Sequence, residues 1–287
     1  MSATIVKLAQ GSAEWHLHRM AHRNASETPA VLGLSPWTTP YQLWLQRTGR
    51  ATVEVTTAMA HGTQLEPQAR AAYEALTGHV MQPLVLVDGD YSASLDGITL
   101  DGDLIVEIKC PKSKDAKLLQ EARAGRVPVH VYWQLQHQLL VSGADLAHLF
   151  VYDGKDGILI EQQPEPEVWS TITQGWDRFV EYVVADRPPP FTERDTVVRE
   201  DPEWETAARE FVALKAAADT VAEQLDAAKQ RLVALTAHTS EQGFGVTVTR
   251  YLKTGSVDYK RVPQLVGVDL DQYRGPAREE GRVTVAQ

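Results

Sequence analysis

The 287-residue chain sets 38 acidic residues against 28 Lys and Arg, a formal charge of −10, and 43% of it is hydrophobic. That charge argues against indiscriminate coating of nucleic acid, and the single cysteine excludes intrachain disulfides and cysteine-rich zinc or iron–sulfur centres. The residues before Ile5 are not expected to act as a signal peptide, and no apolar run approaches the roughly 20 residues of a membrane span, so a soluble, cytoplasmic protein of one large or two smaller domains is expected.

The charge is uneven. Residues 1–50 hold Lys7, Arg19, Arg23, Arg47 and Arg50 against only Glu14 and Glu27, so this region can grip phosphate locally. Residues 13–22 read as a short helix, SPWTTP (35–40) as a loop, and YQLWLQRTGR as a helix stopped by Gly49. A longer helix is expected over 59–79, with Gly78 as its stop signal and Pro67 in the first turn, so that its regular part starts near Glu66. His18 and His22, four residues apart, could bind zinc but find no third ligand, and are read as surface or groove residues.

PLVLVDGDYSASLDGI and DLIVEIKCP supply strands. A segment with Lys112, Lys114 and Lys117 leads to helical VYWQLQHQLLVSG (131–143), and LAHLFVYDG and GILIEQQP give two more strands. Helices, hairpin, helix, hairpin is the order of an α/β core with a mixed sheet. A helix with Trp176, Phe179 and Val183 ends at RPPP (187–190), which marks a boundary.

Residues 203–238 contain no Gly or Pro. Trp204, Ala207, Phe211, Leu214, Ala218, Val221, Leu225, Ala228, Leu232 and Leu235 recur at alternating steps of three and four, an a/d seam on a helix about 50 Å long. The seam lies against its own domain or forms an oligomer or partner contact. After it, GVTVTRYL reads as a strand before a loop-rich end.

The stretch SLDGITLDGDLIVEIKCP (94–111) sets Asp96, Asp101, Asp103 and Glu107 within an apolar hairpin pattern. Asp101-Gly102 suits a two-residue turn, which places Leu100 against Asp103 and Asp96 opposite Glu107. Directly paired side chains lie about 5 Å apart at Cβ. Two ionised carboxylates there repel, so either one carries a proton or a cation lies between them. The period of two puts Ile105, Glu107 and Lys109 on one face and the apolar set on the other. Asp followed by Glu-x-Lys suits metal-dependent phosphodiester hydrolysis. Oxygen ligands, including the Ile108 carbonyl, favour Mg²⁺, with Mn²⁺ as the alternative. The Lys109 ammonium can orient the attacking hydroxide or counter charge on phosphorus. Alone, E-x-K is also an ordinary surface ion pair.

Context makes it specific. EWHLHRMAHRNASETPAVLGLSPWTTPYQLWLQRTGR, MAHGTQLEPQARAAYEALTG, YSASLDG, IVEIKCP and VYWQLQHQLLVSGAD, over roughly residues 11–160, resemble in order and spacing the lambda-exonuclease (YqaJ-type) viral recombinase family of the PD-(D/E)xK nuclease group. The resemblance implies a restriction-endonuclease-like α/β core, a central mixed sheet flanked by helices over residues 1–190. The heptad helix (200–240) and a small tail (241–287) follow it. It implies that Glu66, Asp96, Glu107 and the Ile108 carbonyl bind metal, that Lys109 is the catalytic lysine, and that Gln134 lies on the helix behind the site. It assigns Arg19 and Ser26, with Ser94 as a further candidate, to a phosphate of the DNA, and Arg23 is a near competitor for the role of Arg19. RNAS (23–26) departs from the family's aliphatic-Thr-Ala-Ser pattern at this point.

Individually, these residues have plainer readings. Arg19 can be a surface residue, Gln134 can cap a strand, and Glu66 can be a first-turn acid favoured by the helix dipole. The resemblance implies a Mg²⁺-dependent 5′→3′ exonuclease on double-stranded DNA ends. Such an enzyme acts in phage recombination beside a single-strand annealing protein, as a homo-oligomer that in this family is often a ring-shaped trimer. A related endonuclease or single-strand nuclease, or a non-catalytic DNA-end scaffold recruiting partners through 203–238, are the competing readings. The scaffold predicts a decayed acidic site, whereas Asp96, Glu107 and Lys109 are all present.

Overall fold

The computed structural model describes residues 3–9, 11–52, 55–113, 117–252 and Val268. The chain divides into two compact units, Met1–Thr196 and Val197–Gln287.

The first unit is a mixed sheet covered by helices on both faces. Its strands are β1 (Thr4–Val6), β2 (Arg23–Asn24), β3 (Gln82–Asp88), β4 (Tyr91–Ile98), β5 (Leu104–Lys109), β6 (Leu146–Tyr152) and β7 (Gly157–Gln162), in the order β1-β3-β4-β5-β6-β7. β5 and β6 run parallel, and the crossover between them carries α5 (Lys117–Arg123) and α6 (Val129–Ser142). The sequence reading did not anticipate α5, nor the two- and three-residue strands β1 and β2, which are too short to show a period.

β5 shows how alternation builds the layers. Leu104, Val106 and Ile108 face Ala69 and Tyr73 of α4 (Thr57–Thr77). Ile105, with Leu149 and Val151 of β6, faces Leu135 and Leu139 of α6. Each such buried side chain contributes about 1.5–3 kcal/mol. α1 (Ala13–Ala21), α2 (Thr28–Val31), α3 (Pro40–Arg47) and α7 (Pro166–Val184) complete the unit. Trp44 of α3 and Trp176 and Phe179 of α7 belong to a further core. Thr28 Oγ1 shares a hydrogen bond with His137 Nδ1 of α6 (2.6 Å) and accepts from Trp176 Nε1 (2.9 Å), tying three helices together. Burial pushes His137 down to about 3, so this ring is a neutral structural group.

Two expectations need correction. The helix α4 starts at Thr57, capped by the Thr56 side chain, and Pro67 lies inside it. The proline removes the bond to the Thr63 carbonyl, but Thr63 and Pro67 are both exposed and water can take that acceptor. Glu66 is therefore mid-helix, and the first-turn reading of this acid falls. The β4–β5 loop is also longer than two residues: Thr99 N–H donates to Leu104 O at 3.0 Å, closing the four residues Leu100–Asp103, with Gly102 at φ 76°. The longer loop is still centred on Asp101-Gly102. Gly97 pairs with Val106 and Ile98 with Ile105, so the inferred register holds.

β4 gives the sheet its functional opening. One edge is paired with β3 along the strand. The other is shared: Tyr91 and Ser92 pair with β2, and only Gly97 and Ile98 pair with β5. Between them, residues 93–96 face a fork. The β3–β4 register shifts after Leu95, as at a bulge, and a Cβ on Gly97 would lie 2.7 Å from Met81 Cβ and 2.9 Å from Val106 Cγ1. Only glycine fits beside Asp96.

In the second unit, α8 (Pro202–Leu235) is capped by the Asp201 side chain, and β8 (Ser240–Gly243) pairs antiparallel with β9 (Val246–Thr249). The helix ends three residues before the expected 238. The rest of the expected tail, apart from Tyr251, Leu252 and Val268, lies outside the described residues, as does Lys114.

Candidate active site

At the fork, strands and helices bring five charged side chains together. Asp96 Oδ2 accepts the Ile108 N–H at 2.7 Å, so a side chain takes a bond that a regular ladder would give to backbone. In an extended strand the N–H and C=O of one residue point to the same edge, so the Ile108 carbonyl also faces the fork. The Asp96 carbonyl accepts from Arg70 Nε (2.8 Å), and Arg70 Nη2 pairs with Glu66 Oε1 (2.5 Å). This places Glu66, one turn before Arg70 on α4, at the same opening.

Glu107 is 3% exposed. Its Oε1 pairs with Lys109 Nζ at 2.5 Å and its Oε2 accepts from Gln138 Nε2 at 2.6 Å. Lys109 Nζ also donates to Gln134 Oε1 at 3.3 Å. Gln134 and Gln138 are one turn apart on α6, so one helix face holds both the lysine and the glutamate.

Burial, then the Glu107 and Glu66 charges, push the Asp96 carboxyl well above the ordinary aspartate range, against the pull of Lys109 and the Ile108 N–H. Burial also raises Glu66; Arg70 opposes this and Glu107 adds to it. Burial works against charged Lys109, but Glu107 and Asp96 outweigh it and hold the ammonium above the usual lysine range. The site thus has more negative charge than its own cations neutralise.

Among the described residues no group of three His, Cys, Asp or Glu side chains is already arranged to hold a metal ion. Arg70 and Lys109 engage Glu66 and Glu107 here. The donor set nevertheless fits a hard divalent cation: it consists of oxygens, and one of its carboxylates is disfavoured as an anion until positive charge arrives. Burial, followed by Asp96 and Glu66, pushes the neighbouring Cys110 thiol up to about 11, so it stays protonated and is no soft ligand.

A second cluster borders the fork. Arg19 Nη1 donates to Ser26 Oγ (3.1 Å), and its guanidinium lies 4.7 Å from the Trp15 ring centroid. Trp15 Nε1 donates to Ser94 Oγ (3.0 Å), two residues before Asp96. Glu27 pairs with Arg19 at 3.0 Å and also with Arg47. Two guanidiniums on one carboxylate leave a positive surplus. The competitor Arg23 is instead engaged by Tyr91 and Asp177, each at 2.7 Å. His18 and His22 stack at 4.1 Å, with His18 bonded to Ser92 and His22 to the His18 carbonyl.

The structure thus brings together Glu66, Asp96, Glu107, Lys109 and Gln134, with Arg19, Ser26 and Ser94 linked through Trp15. Sequence reasoning missed Arg70, Gln138 and Glu27. Arg70 and Gln138 each stand four residues after a residue already singled out, the spacing that shares a helix face.

Part of the chain is similar to a YqaJ-like viral recombinase domain. The family matches residues 14–145, a span that includes every site residue named above. An uncharacterised protein YqaJ of Bacillus subtilis is 28% identical over 139 residues, 46% of this chain and 43% of that protein, so the shared region is under half of the relative's length. Among solved structures, an alkaline exonuclease from Laribacter hongkongensis is 22% identical over 61% of this chain and 94% of that one, with a TM-score of 0.53. Its complex with dAMP matches over the same shares at 24% identity and the same TM-score. At these identities the likeness speaks to the fold of the YqaJ-like domain, a mixed sheet flanked by helices. No helix among the described residues is long and apolar enough to cross a membrane.

Proposed function

We propose that this protein is a divalent-metal-dependent deoxyribonuclease that digests double-stranded DNA from 5′ ends during phage recombination, beside a single-strand annealing protein. The observation that carries the reading is the convergence at one opening of the sheet of Asp96 on the Ile108 N–H, Glu66 on Arg70 and Glu107 on Lys109. Arg19 supports the choice of an end, because a guanidinium with an adjacent hydroxyl suits a terminal phosphate at the rim of an acidic site.

Glu66, Asp96, Glu107 and the Ile108 carbonyl would hold Mg²⁺ or Mn²⁺, which when bound supplies Lewis acidity and a more acidic water. Lys109 orients the attacking oxygen and offsets the charge that grows on the phosphoryl oxygens. Gln134 and Glu107 fix the position of its ammonium. A bond forms between the water oxygen and phosphorus, the ester bond to the leaving sugar oxygen breaks, and that oxygen takes up a proton. Arg19, Ser26 and Ser94 hold the phosphate of the chain end in register with this centre.

Incubation with linear and closed circular duplex, in Mg²⁺ or EDTA, with Lys109→Ala as control, tests the reading. Loss of linear DNA only, requiring both metal and Lys109, is the expected result, and end labels report polarity. Cutting of closed circles would replace the exonuclease with an endonuclease. Absence of cutting under any divalent metal would sink the enzymatic reading.

A further inference from the structure

The nuclease reading leaves α8 unexplained. Leu214 (63%), Val221 (60%) and Leu225 (68%) are exposed along its apolar seam, and no residue of the helix is buried. Within its unit, the β8–β9 region meets it at the last turn, where Arg250 Nη2 donates to Val233 O at 2.7 Å. We propose that α8 pairs antiparallel with α8 of a second copy of this chain, as a two-fold coiled coil centred between Asp219 and Thr220.

Side-chain size selects the orientation. A parallel, in-register pair would set each seam residue against itself: Trp204 on Trp204 and Phe211 on Phe211, then Ala207, Ala218 and Ala228 each on its own copy. Crowded layers would alternate with gaps, which close packing disfavours. Reversing one helix about its centre sets Ala207 against Leu232, Phe211 against Ala228, Leu214 against Leu225, and Ala218 against Val221. Large meets small at three of the five layers, including that of Phe211, while Leu214 on Leu225 and the terminal Trp204 on Leu235 stay large on large.

Charge selects the same arrangement. In this register the residues flanking the seam bring Glu210 beside Arg231 of the second copy, twice by symmetry, while Lys215 meets Ala222 and Lys229 meets Ala208. No like charges face each other. The pairs Arg209–Glu205 and Lys215–Asp219 are formed within the helix itself. A stripe about 50 Å long and one helix face wide covers on the order of 800 Å² per copy, the scale of a stable isologous interface.

The test uses the full chain with Cys110→Ser, carrying Leu214→Cys, Leu225→Cys, or both. Oxidation is expected to link the double variant into dimers and to leave each single variant unlinked, because in this register a cysteine at 214 lies opposite position 225 of the other copy and about 16 Å from its own counterpart. Efficient linking of either single variant, or none of the double, overturns the antiparallel pairing. In parallel, light scattering should show the mass of the unmodified chain falling to half in Leu214→Glu/Leu225→Glu, with its circular dichroism retained. A monomeric unmodified chain, or an oligomer whose mass those charges leave unchanged, overturns the proposal.

Discussion

Replacing Asp96 by Asn should stabilise the metal-free protein. The ladder ends at Gly97 with Val106, and the next residues on the two strands, Asp96 and Glu107, are close enough at the fork for the Glu107 charge to raise the Asp96 carboxyl. At about 5 Å, the scale of cross-strand neighbours, two unit charges in an effective dielectric of about 20 repel by about 3 kcal/mol. Lys109, 2.5 Å from Glu107, offsets part of this. Roughly 1–2 kcal/mol of net strain then remains, as expected for a site arranged for a ligand rather than for stability. Asparagine keeps an oxygen for the Ile108 N–H while removing the charge. The pH dependence has a definite sign. Because the folded-state pKa of Asp96 is raised, the folded protein binds more protons than the unfolded chain above the ordinary aspartate pKa of about 4. Its stability therefore falls as pH rises from there through the folded pKa, and Asp96→Asn removes that contribution. Urea denaturation in EDTA at pH 5 and pH 8, followed by circular dichroism, measures both quantities. Millimolar Mg²⁺ should then raise the stability of the unmodified protein and leave the variant nearly unmoved. A variant less stable than the parent at pH 8 in EDTA would refute the charge argument.

Gln138→Leu leaves Glu107 Oε2 buried without its donor and should cost about 1–3 kcal/mol of stability. It should also weaken Mn²⁺ binding in calorimetry; unchanged metal affinity would reduce Gln138 to packing. Arg19→Ala removes a charge-assisted contact worth about 1.5–3 kcal/mol, so cleavage of 5′-phosphorylated ends should fall roughly 10- to 150-fold while 5′-hydroxyl ends change little. An equal loss on both ends would place Arg19 outside phosphate recognition.

The parts of the site that the sequence revealed were those set by local rules. Asp101-Gly102 centred the loop, so the register that pairs Gly97 with Val106 and Ile98 with Ile105 survived an error in loop length, because lengthening a turn by one residue on each side leaves the register unchanged. Gly78, at φ 77°, ends α4 where expected. Pro67 misled because a proline inside a helix is disfavoured by local propensity but tolerated where the freed carbonyl meets water. Arg70 and Gln138 were invisible for a different reason. Each touches an acid 26 to 31 residues away in sequence, at Asp96 and Glu107, and only the approach of α4 and α6 to opposite faces of the sheet makes those contacts.

That approach explains why the acidic centre stands at this fork. A continuous β4–β5 ladder would satisfy the edge of β4 with backbone and bury any carboxylate between two strands. Here β2 takes the first two residues of that edge and β5 takes Gly97 and Ile98, leaving residues 93–96 between them. Asp96 accepts the Ile108 N–H through its side chain, and its own carbonyl is satisfied by Arg70. Two backbone groups here, the Ile108 N–H and the Asp96 carbonyl, are paired by side chains, one from β4 itself and one from α4, so the strands can part with both satisfied. Those side chains carry charge, which a ladder does not. The opening of the sheet and the gathering of its charges therefore have one cause, and a substitution that closed the fork, such as a side chain at Gly97 displacing Val106, would remove both together.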